Sequence, residues 1–292
     1  MPELPEVQTI VTDLKKVLPE LKIQDVWCDN RKMIKSPNSL SAFKKKIIGE
    51  KILGLERKGK NILIGLSGKK TLLIHQKMTG HMLYGDFEYD KDKWVAKKPG
   101  PLRDDPQNRF IHLIFSLSNK KCLALSDLRK FAKVLICETR ELGELKDLKN
   151  IGPDPLEKSF SFKKFESVLG KRRGKVKDVL IKQEIISGIG NIYASEILWD
   201  AGVYPFKNLQ DLSGIELKKI YKSIHKILKQ GIKQRGDSVV DYRDPSGKKG
   251  KYQKFHKAYQ REGEKCSKKD GGIIRRFKKG GRSTFFCSKH QK

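Results

Sequence analysis

The sequence predicts an α+β chain: a β-sandwich half led by one helix, then a helical half that ends in a β-hairpin. Three observations carry this. Short β-rich runs separated by Gly, Ser, Asn or Lys crowd residues 23–137. Runs with helical character fill 162–229. The last stretch, 264–290, reads as a hairpin turning near Gly280-Gly281.

The elements follow in order. Pro5 suits a first helical position and Glu6 the positive end of a helix dipole. Val7, Ile10, Val11, Leu14 and Val17 then mark one apolar face. Residues 51–55, 61–66, 71–74 and 110–115 are strands, and several strands in about 110 residues suggest a sandwich. Trp94 to Asn108, with three prolines and many charges, reads as a loop, and helical character returns at about Glu138. Ile151-Gly152-Pro153-Asp154-Pro155-Leu156 is a rigid turn segment suited to an interdomain linker. Helices are expected over 162–169, 176–183, 192–201 and 214–229. Gly236 to Lys257 is too polar to hold its own core.

The 292 residues carry 64 Lys plus Arg against 34 Asp plus Glu, a formal charge of +30. That balance favours a polyanionic partner, most simply nucleic acid, although runs such as Lys44-Lys45-Lys46 also suit a plain solvated face. The charge is concentrated: from Gly231 onward there are nineteen Lys/Arg and six Asp/Glu. Five cysteines form no disulfide-like framework, and neither a charged-then-apolar leader nor a run of about 18 apolar residues is present. An intracellular, soluble protein is expected.

Chemistry begins at Met1-Pro2-Glu3-Leu4-Pro5-Glu6. With Met1 removed, Pro2 offers a secondary amine, and free α-amino groups titrate near ~8, leaving a nucleophilic fraction at neutral pH. Its attack on a sugar carbon gives a cationic iminium, and Glu3 stands ready to move a proton. The same residues also serve as a plain helix lead-in. Lys60 opens a strand, with Lys58 as the alternative register. Gly188-Ile189-Gly190-Asn191-Ile192-Tyr193 sets two glycines before a helix start, a good phosphate seat, with Asn191 and Tyr193 as contact candidates. Cys266-x2-Lys269 and Cys287-x2-His290 are a degenerate metal finger with three obvious ligands, Cys266, Cys287 and His290. Asp270, another group or a water could complete a zinc site; Lys269 is a poor ligand because its amine is protonated.

Met-Pro-Glu-Leu-Pro-Glu-Val resembles the N-terminus of formamidopyrimidine-DNA glycosylases, and Gly188 to Glu196 resembles their helix–two-turn–helix motif. His75-Gln76-Lys77-Met78-Thr79-Gly80 is similar to the family's His-Leu-Gly-Met-Ser-Gly, with Gln76 and Lys77 departing from it. Asp127-Leu128-Arg129-Lys130-Phe131 is similar to Asp-Pro-Arg-Arg-Phe, and Gly281 to Cys287 to the family's hairpin. The resemblance implies an oxidised-purine glycosylase and abasic-site lyase of bacterial base-excision repair, cytoplasmic and nucleoid-associated, monomeric, with damaged duplex DNA as partner and no organic cofactor. It implies DNA in a basic cleft between a β-sandwich domain and a helical domain with a zinc or zinc-like hairpin. Pro2, Glu3 and Lys60 would be catalytic. Met78 would enter the gap left by an extruded base, Arg129 face the orphaned base and Phe131 wedge the stack. Asn191, Tyr193 and Arg282 would meet phosphate.

The implied domains are a catalytic sandwich at 1–145, a linker at 146–160 and a helix–two-turn–helix domain at 161–235. A base-capping loop region at 236–258 and the hairpin at 259–292 complete the chain. Two rivals stand: an endonuclease VIII relative acting on oxidised pyrimidines, and a catalytically silent DNA-binding protein. Leu4 and the separated Met78, Arg129 and Phe131 favour the purine enzyme over the first, and intact Pro2, Glu3 and Lys60 argue against the second.

Overall fold

The computed structural model describes residues 1–170 and 172–292. In chain order the first half holds α1 (Leu4–Leu14), β1 (Ile23–Cys28), β2 (Ile34–Ser36), α2 (Leu40–Ile47), β3 (Ile52–Lys58) and β4 (Asn61–Leu66). It continues with β5 (Lys70–His75), β6 (His81–Gly85), β7 (Phe87–Asp90), β8 (Lys93–Ala96), α3 (Pro101–Asp104), β9 (Ile111–Leu117), β10 (Cys122–Ser126) and β11 (Lys133–Glu138). The second half holds α4 (Phe162–Leu169), α5 (Val176–Leu180), α6 (Asn191–Ala201), α7 (Gly214–Lys233), β12 (Ile274–Lys279) and β13 (Arg282–Cys287).

Two compact units result. The first is residues 1–149 with 234–251, and the second is 150–233 with 252–292. In the first, one sheet runs β1-β9-β10-β6 and the other β2-β11-β5-β4-β3. The central strands are buried on both faces, β10 throughout and β5 and β11 over four consecutive residues, and the side chains that meet in the shared core recur at every second position. Ile62, Ile64, Leu72, Ile74 and Val134 of one sheet share a core with Val26, Leu113, Phe115, Leu123 and Leu125 of the other. α1 adds Val7, Ile10, Val11 and Leu14 to that core. Val17, expected on the same face, lies beyond the end of the helix and is exposed. The α+β sandwich with a leading helix is therefore what the chain forms.

One local reading is corrected and two are filled in. The stretch 94–108 is not a plain loop: it carries part of β8, the short α3 and a 3-10 turn at Pro106–Arg109. The lysine run 44–46 belongs to α2, which Ser39 caps by accepting from Ala42 N–H and which buries Phe43 and Ile47. The polar stretch after α7 has no core of its own. Its Tyr242 instead plugs the sandwich core.

In the second unit, α6 packs on α7 and against β13. The hairpin pairs Ile274 with Cys287 through Lys279 with Arg282. Gly280 and Gly281 both take positive φ, 55° and 75°, the two-residue turn whose twist suits a hairpin.

Candidate functional site

Glu3 caps α1, and its N–H donates to Glu6 Oε2 at 2.7 Å. The other Glu6 oxygen accepts from Asp237 N–H at 2.7 Å. One buried carboxylate thus ties the chain's start to the strap formed by residues 234–251. Gly236 sits where a Cβ would meet Glu6 Cγ at 2.8 Å and Tyr242 Cε1 at 2.9 Å, with φ of +84°, so this close approach needs glycine. A second clamp lies about two turns of helix further on. Arg235 donates to Asp13 Oδ2 at 2.5 Å and to Asp244 Oδ2 at 2.6 Å. Burial lifts the Asp241 carboxyl on this strap, while the positive charges of the amino terminus, Arg243 and Arg129 oppose that rise.

Pro2, Glu3 and Lys60 are all buried in the same unit as this strap. Lys60 precedes β4, whose antiparallel register sets Asn61 opposite His75 at the end of β5. Burial, with Lys77 and Lys60 nearby, drives the His75 pKa down to about 4. Its Nδ1 accepts from Lys77 N–H at 2.9 Å, so the neutral ring presents Nε2–H as its donor.

His75 opens the Met78 loop, where Met78 is 38% exposed. Thr79 Oγ1 in that loop donates to Asp127 Oδ1 and accepts from Arg129 N–H at 3.1 Å. Asp127 Oδ2 accepts from Ala132 N–H at 2.7 Å. The Met78 loop and the Arg129–Phe131 loop are therefore joined at their bases. Arg129 lies over the Phe131 ring at 4.6 Å, and Phe131 is 53% exposed.

In the second unit, Gly190 caps α6 and Asn191 opens it. Asn191 Nδ2 donates to Ser283 O at 3.0 Å. Lys177 Nζ, buried, donates to Asn191 Oδ1 at 2.8 Å and Thr284 Oγ1 at 2.9 Å. The helix start and the hairpin strand thus share one polar knot next to Arg282, which is exposed. Tyr193 is a correction: it is fully buried and stacks on Tyr252 at 4.9 Å, leaving its ring no surface for a phosphate. Glu196, also in the motif, accepts N–H bonds from Lys257, Ala258 and Tyr259 and fastens the segment entering the hairpin. Sequence reasoning missed Glu6 as a tie, His75, and Lys177, which looks like any lysine of a basic chain.

Cys266, Asp270, Cys287 and His290 bring one ligand atom each within 4.8 Å of one another. Asp270, not position 269, therefore joins the three residues read from sequence. His290 Nε2 lies 2.9 Å from the Trp199 carbonyl and must donate to it. Its Nδ1 faces Asp270 Oδ2 at 3.0 Å and Cys266 Sγ at 3.5 Å, and a metal ion between them would take the lone pair of that nitrogen. Lone pairs converging this way fit a cation, and an imidazole braced by a backbone carbonyl is the usual second sphere of a metal ligand. Gly272 allows the approach, since a Cβ there would lie 2.4 Å from Cys287 Sγ. Two thiols, an imidazole and a carboxylate suit tetrahedral zinc.

The model of the formamidopyrimidine-DNA glycosylase N-terminal domain matches residues 1–134, and that of the formamidopyrimidine-DNA glycosylase H2TH domain matches residues 151–242. The formamidopyrimidine-DNA glycosylase of Pelotomaculum thermopropionicum is 38% identical, over 100% of this chain and 99% of its own. That of Carboxydothermus hydrogenoformans is 36% identical over 100% of both. Among solved structures, Lactococcus lactis Fpg in complex with abasic-site DNA superposes with a TM-score of 0.85 at 29% identity, covering 99% of both chains. The wild-type L. lactis enzyme with DNA containing N7-benzyl-Fapy-dG gives 0.85 at 30% over 100% of both. No helix among the described residues is long and apolar enough to cross a membrane. With both domain models matched in order and relatives aligned end to end, this chain belongs to the formamidopyrimidine-DNA glycosylase family.

Proposed function

We propose that this family member is a bifunctional glycosylase and abasic-site lyase that removes oxidised purines, 8-oxoguanine and formamidopyrimidines, from duplex DNA. The observation that carries the reading is the anchored start of the chain. Pro2 and Glu3 are buried at the head of α1, and Glu6 fixes both Glu3 and the strap. A nucleophile held on a braced helix has the rigidity that attack in one geometry demands.

Removal of Met1 frees the Pro2 nitrogen. That nitrogen attacks C1′ of the damaged nucleotide, the C1′–N bond to the base breaks, and the base leaves with a proton. The C1′–O4′ bond then opens, O4′ taking a proton from Glu3, and the resulting iminium at C1′ acidifies the C2′ proton. Its loss expels the 3′ phosphate, and a second elimination expels the 5′ phosphate. Glu3 moves protons at the sugar, and Lys60 binds phosphate beside it. Met78, Arg129 and Phe131, on loops already joined through Thr79 and Asp127, fill the stack that the extruded nucleotide leaves. Asn191 and Arg282 hold the backbone, with Lys177 bracing Asn191. In this reading 1–145 is the catalytic domain, 161–235 the helix–two-turn–helix domain, 236–258 the base-capping region and 259–292 the hairpin.

Zinc held by Cys266, Asp270, Cys287 and His290 would cross-link the hairpin that carries Arg282 and take no part in the chemistry. Metal analysis of protein purified without chelator should find near one zinc per chain, lost on replacing Cys266 and Cys287.

The test of function is incubation with duplexes containing 8-oxoguanine, oxidised thymine or an abasic site, with borohydride added. Excision of 8-oxoguanine with a covalent protein–DNA adduct is expected. Preference for oxidised thymine would instead favour the pyrimidine enzyme, and absence of any adduct would leave a DNA-binding protein.

A further inference from the structure

The strap and the two wedge loops are joined by hydrogen bonds through the segment 97–109, which no catalytic step uses. Arg243 of the strap, almost fully buried, donates from Nε to Asp105 Oδ2 at 2.7 Å. Asp105 Oδ1 in turn accepts from Gln107 N–H at 3.0 Å, and Gln107 O accepts from Ser126 Oγ at 2.9 Å, one residue before Asp127. A second path runs beside this one. Asn108 Nδ2 donates to Pro101 O at 2.9 Å and to Gly247 O of the strap at 3.3 Å. With both amide hydrogens directed at carbonyls, Asn108 Oδ1 must accept. Its partner is His81 Nε2 at 3.0 Å. His81 is buried and two residues from Thr79, whose hydroxyl holds Asp127 and the Arg129 amide. Tyr84 N–H also donates to Pro245 O of the strap at 2.8 Å.

We propose that the His81–Asn108 pair is a positioning relay that holds the Met78 and Arg129 loops in register with the strap. Seating a damaged base beneath the strap and filling the emptied stack are then one coupled event. The proposal rests on the glycosylase reading above. Its logic is geometric: both ends touch groups that the base-extrusion step engages, and in the buried middle His81 Nε2–H donates to Asn108 Oδ1 while His81 Nδ1 lies 3.4 Å from Thr79 O. A buried polar network of this kind holds one arrangement because every alternative strands a donor or acceptor.

The discriminating comparison is base excision against nicking at a preformed abasic site, which has no base for the strap to seat. Asn108→Leu and His81→Leu should each lower 8-oxoguanine excision about tenfold or more, read as a loss in kcat/KM. Abasic nicking should stay within about threefold of wild type. The double variant should be no worse than either single one, since both break the same path. His81→Gln, which keeps a donor for Asn108 Oδ1, should restore most of the excision. Should the leucine variants fail to fold by thermal melting, Asn108→Asp serves. It keeps an acceptor for His81 and sets a carboxylate oxygen in place of the amide directed at Pro101 and Gly247, and it too should separate excision from nicking. Stopped-flow 2-aminopurine fluorescence opposite the lesion should show slower unstacking in each defective variant. Parallel loss of excision and nicking, or loss of neither, in a wild-type background that performs both would overturn the relay alone. A wild type that neither excises nor nicks would overturn the glycosylase reading and the relay with it.

Discussion

At the scale of single residues, the N-terminal site depends on a few buried polar groups that cannot be exchanged freely. Pro2→Gly should cripple base excision and largely abolish borohydride trapping, because it replaces the only secondary amine that processing can expose. Lys60→Ala should impair excision while leaving duplex affinity better preserved. Glu6 uses its two oxygens on two different backbone amides. Glu6→Gln leaves one of those amides unpaired, at a cost of about 1–3 kcal/mol. Chemical denaturation should register that loss, and wild-type stability would remove Glu6 as the tie.

Two histidines add a pH dependence of known sign. Burial lowers His75 and His81 from 6.5 to about 4 in the folded chain. The unfolded chain therefore binds protons near pH 6.5 that the folded one refuses until about 4. Stability is fully present above 6.5 and drains as the pH falls through that window. Thermal melts from pH 7.5 to 4 should follow this fall, and His81→Gln should flatten it.

At the scale of elements, the strap is where local sequence says least and tertiary structure decides most. Its lack of a core was legible from composition, and so was its irregular form. Which unit it joins was not, because that depends on Tyr242 filling the sandwich core and on Arg235 reaching Asp13, 222 positions away in the chain. The helices of the second unit were legible because their apolar spacing is local. α2 was missed because its three lysines outweigh Phe43 and Ile47 in any local reading. The site divides the same way. Pro2, Met78, Arg129 and Asn191 stand in recognisable motifs. Lys177 is visible only once Asn191 and Thr284 surround it, and Tyr193 looked like a contact until its ring proved buried. Gly236→Ala tests the strap itself. A Cβ there strains a φ of +84° and crowds Glu6. Excision should fall well before abasic nicking does.

At the scale of the whole molecule, the formal charge of +30 is a reservoir of affinity that reads no sequence. Each cation placed on a phosphate releases a condensed counterion, so log K should fall linearly with log salt, by about 0.9 per phosphate contacted. This separates the two classes of site residue without reference to catalysis. Arg282, exposed on the hairpin, should act through phosphate. Arg282→Ala should weaken binding to damaged and undamaged duplex alike and reduce the magnitude of the salt slope by about 1. Met78 and Phe131 carry no charge, and in the proposed function they act only once a nucleotide has left the stack. Met78→Ala and Phe131→Ala should therefore leave the slope and the undamaged-duplex affinity unchanged, while lowering the preference for a lesion. Fluorescence anisotropy at several salt concentrations, on matched damaged and undamaged duplexes, reads both quantities at once. A slope that changes with Met78→Ala, or one that ignores Arg282→Ala, would mean that affinity and lesion recognition are not divided between these surfaces.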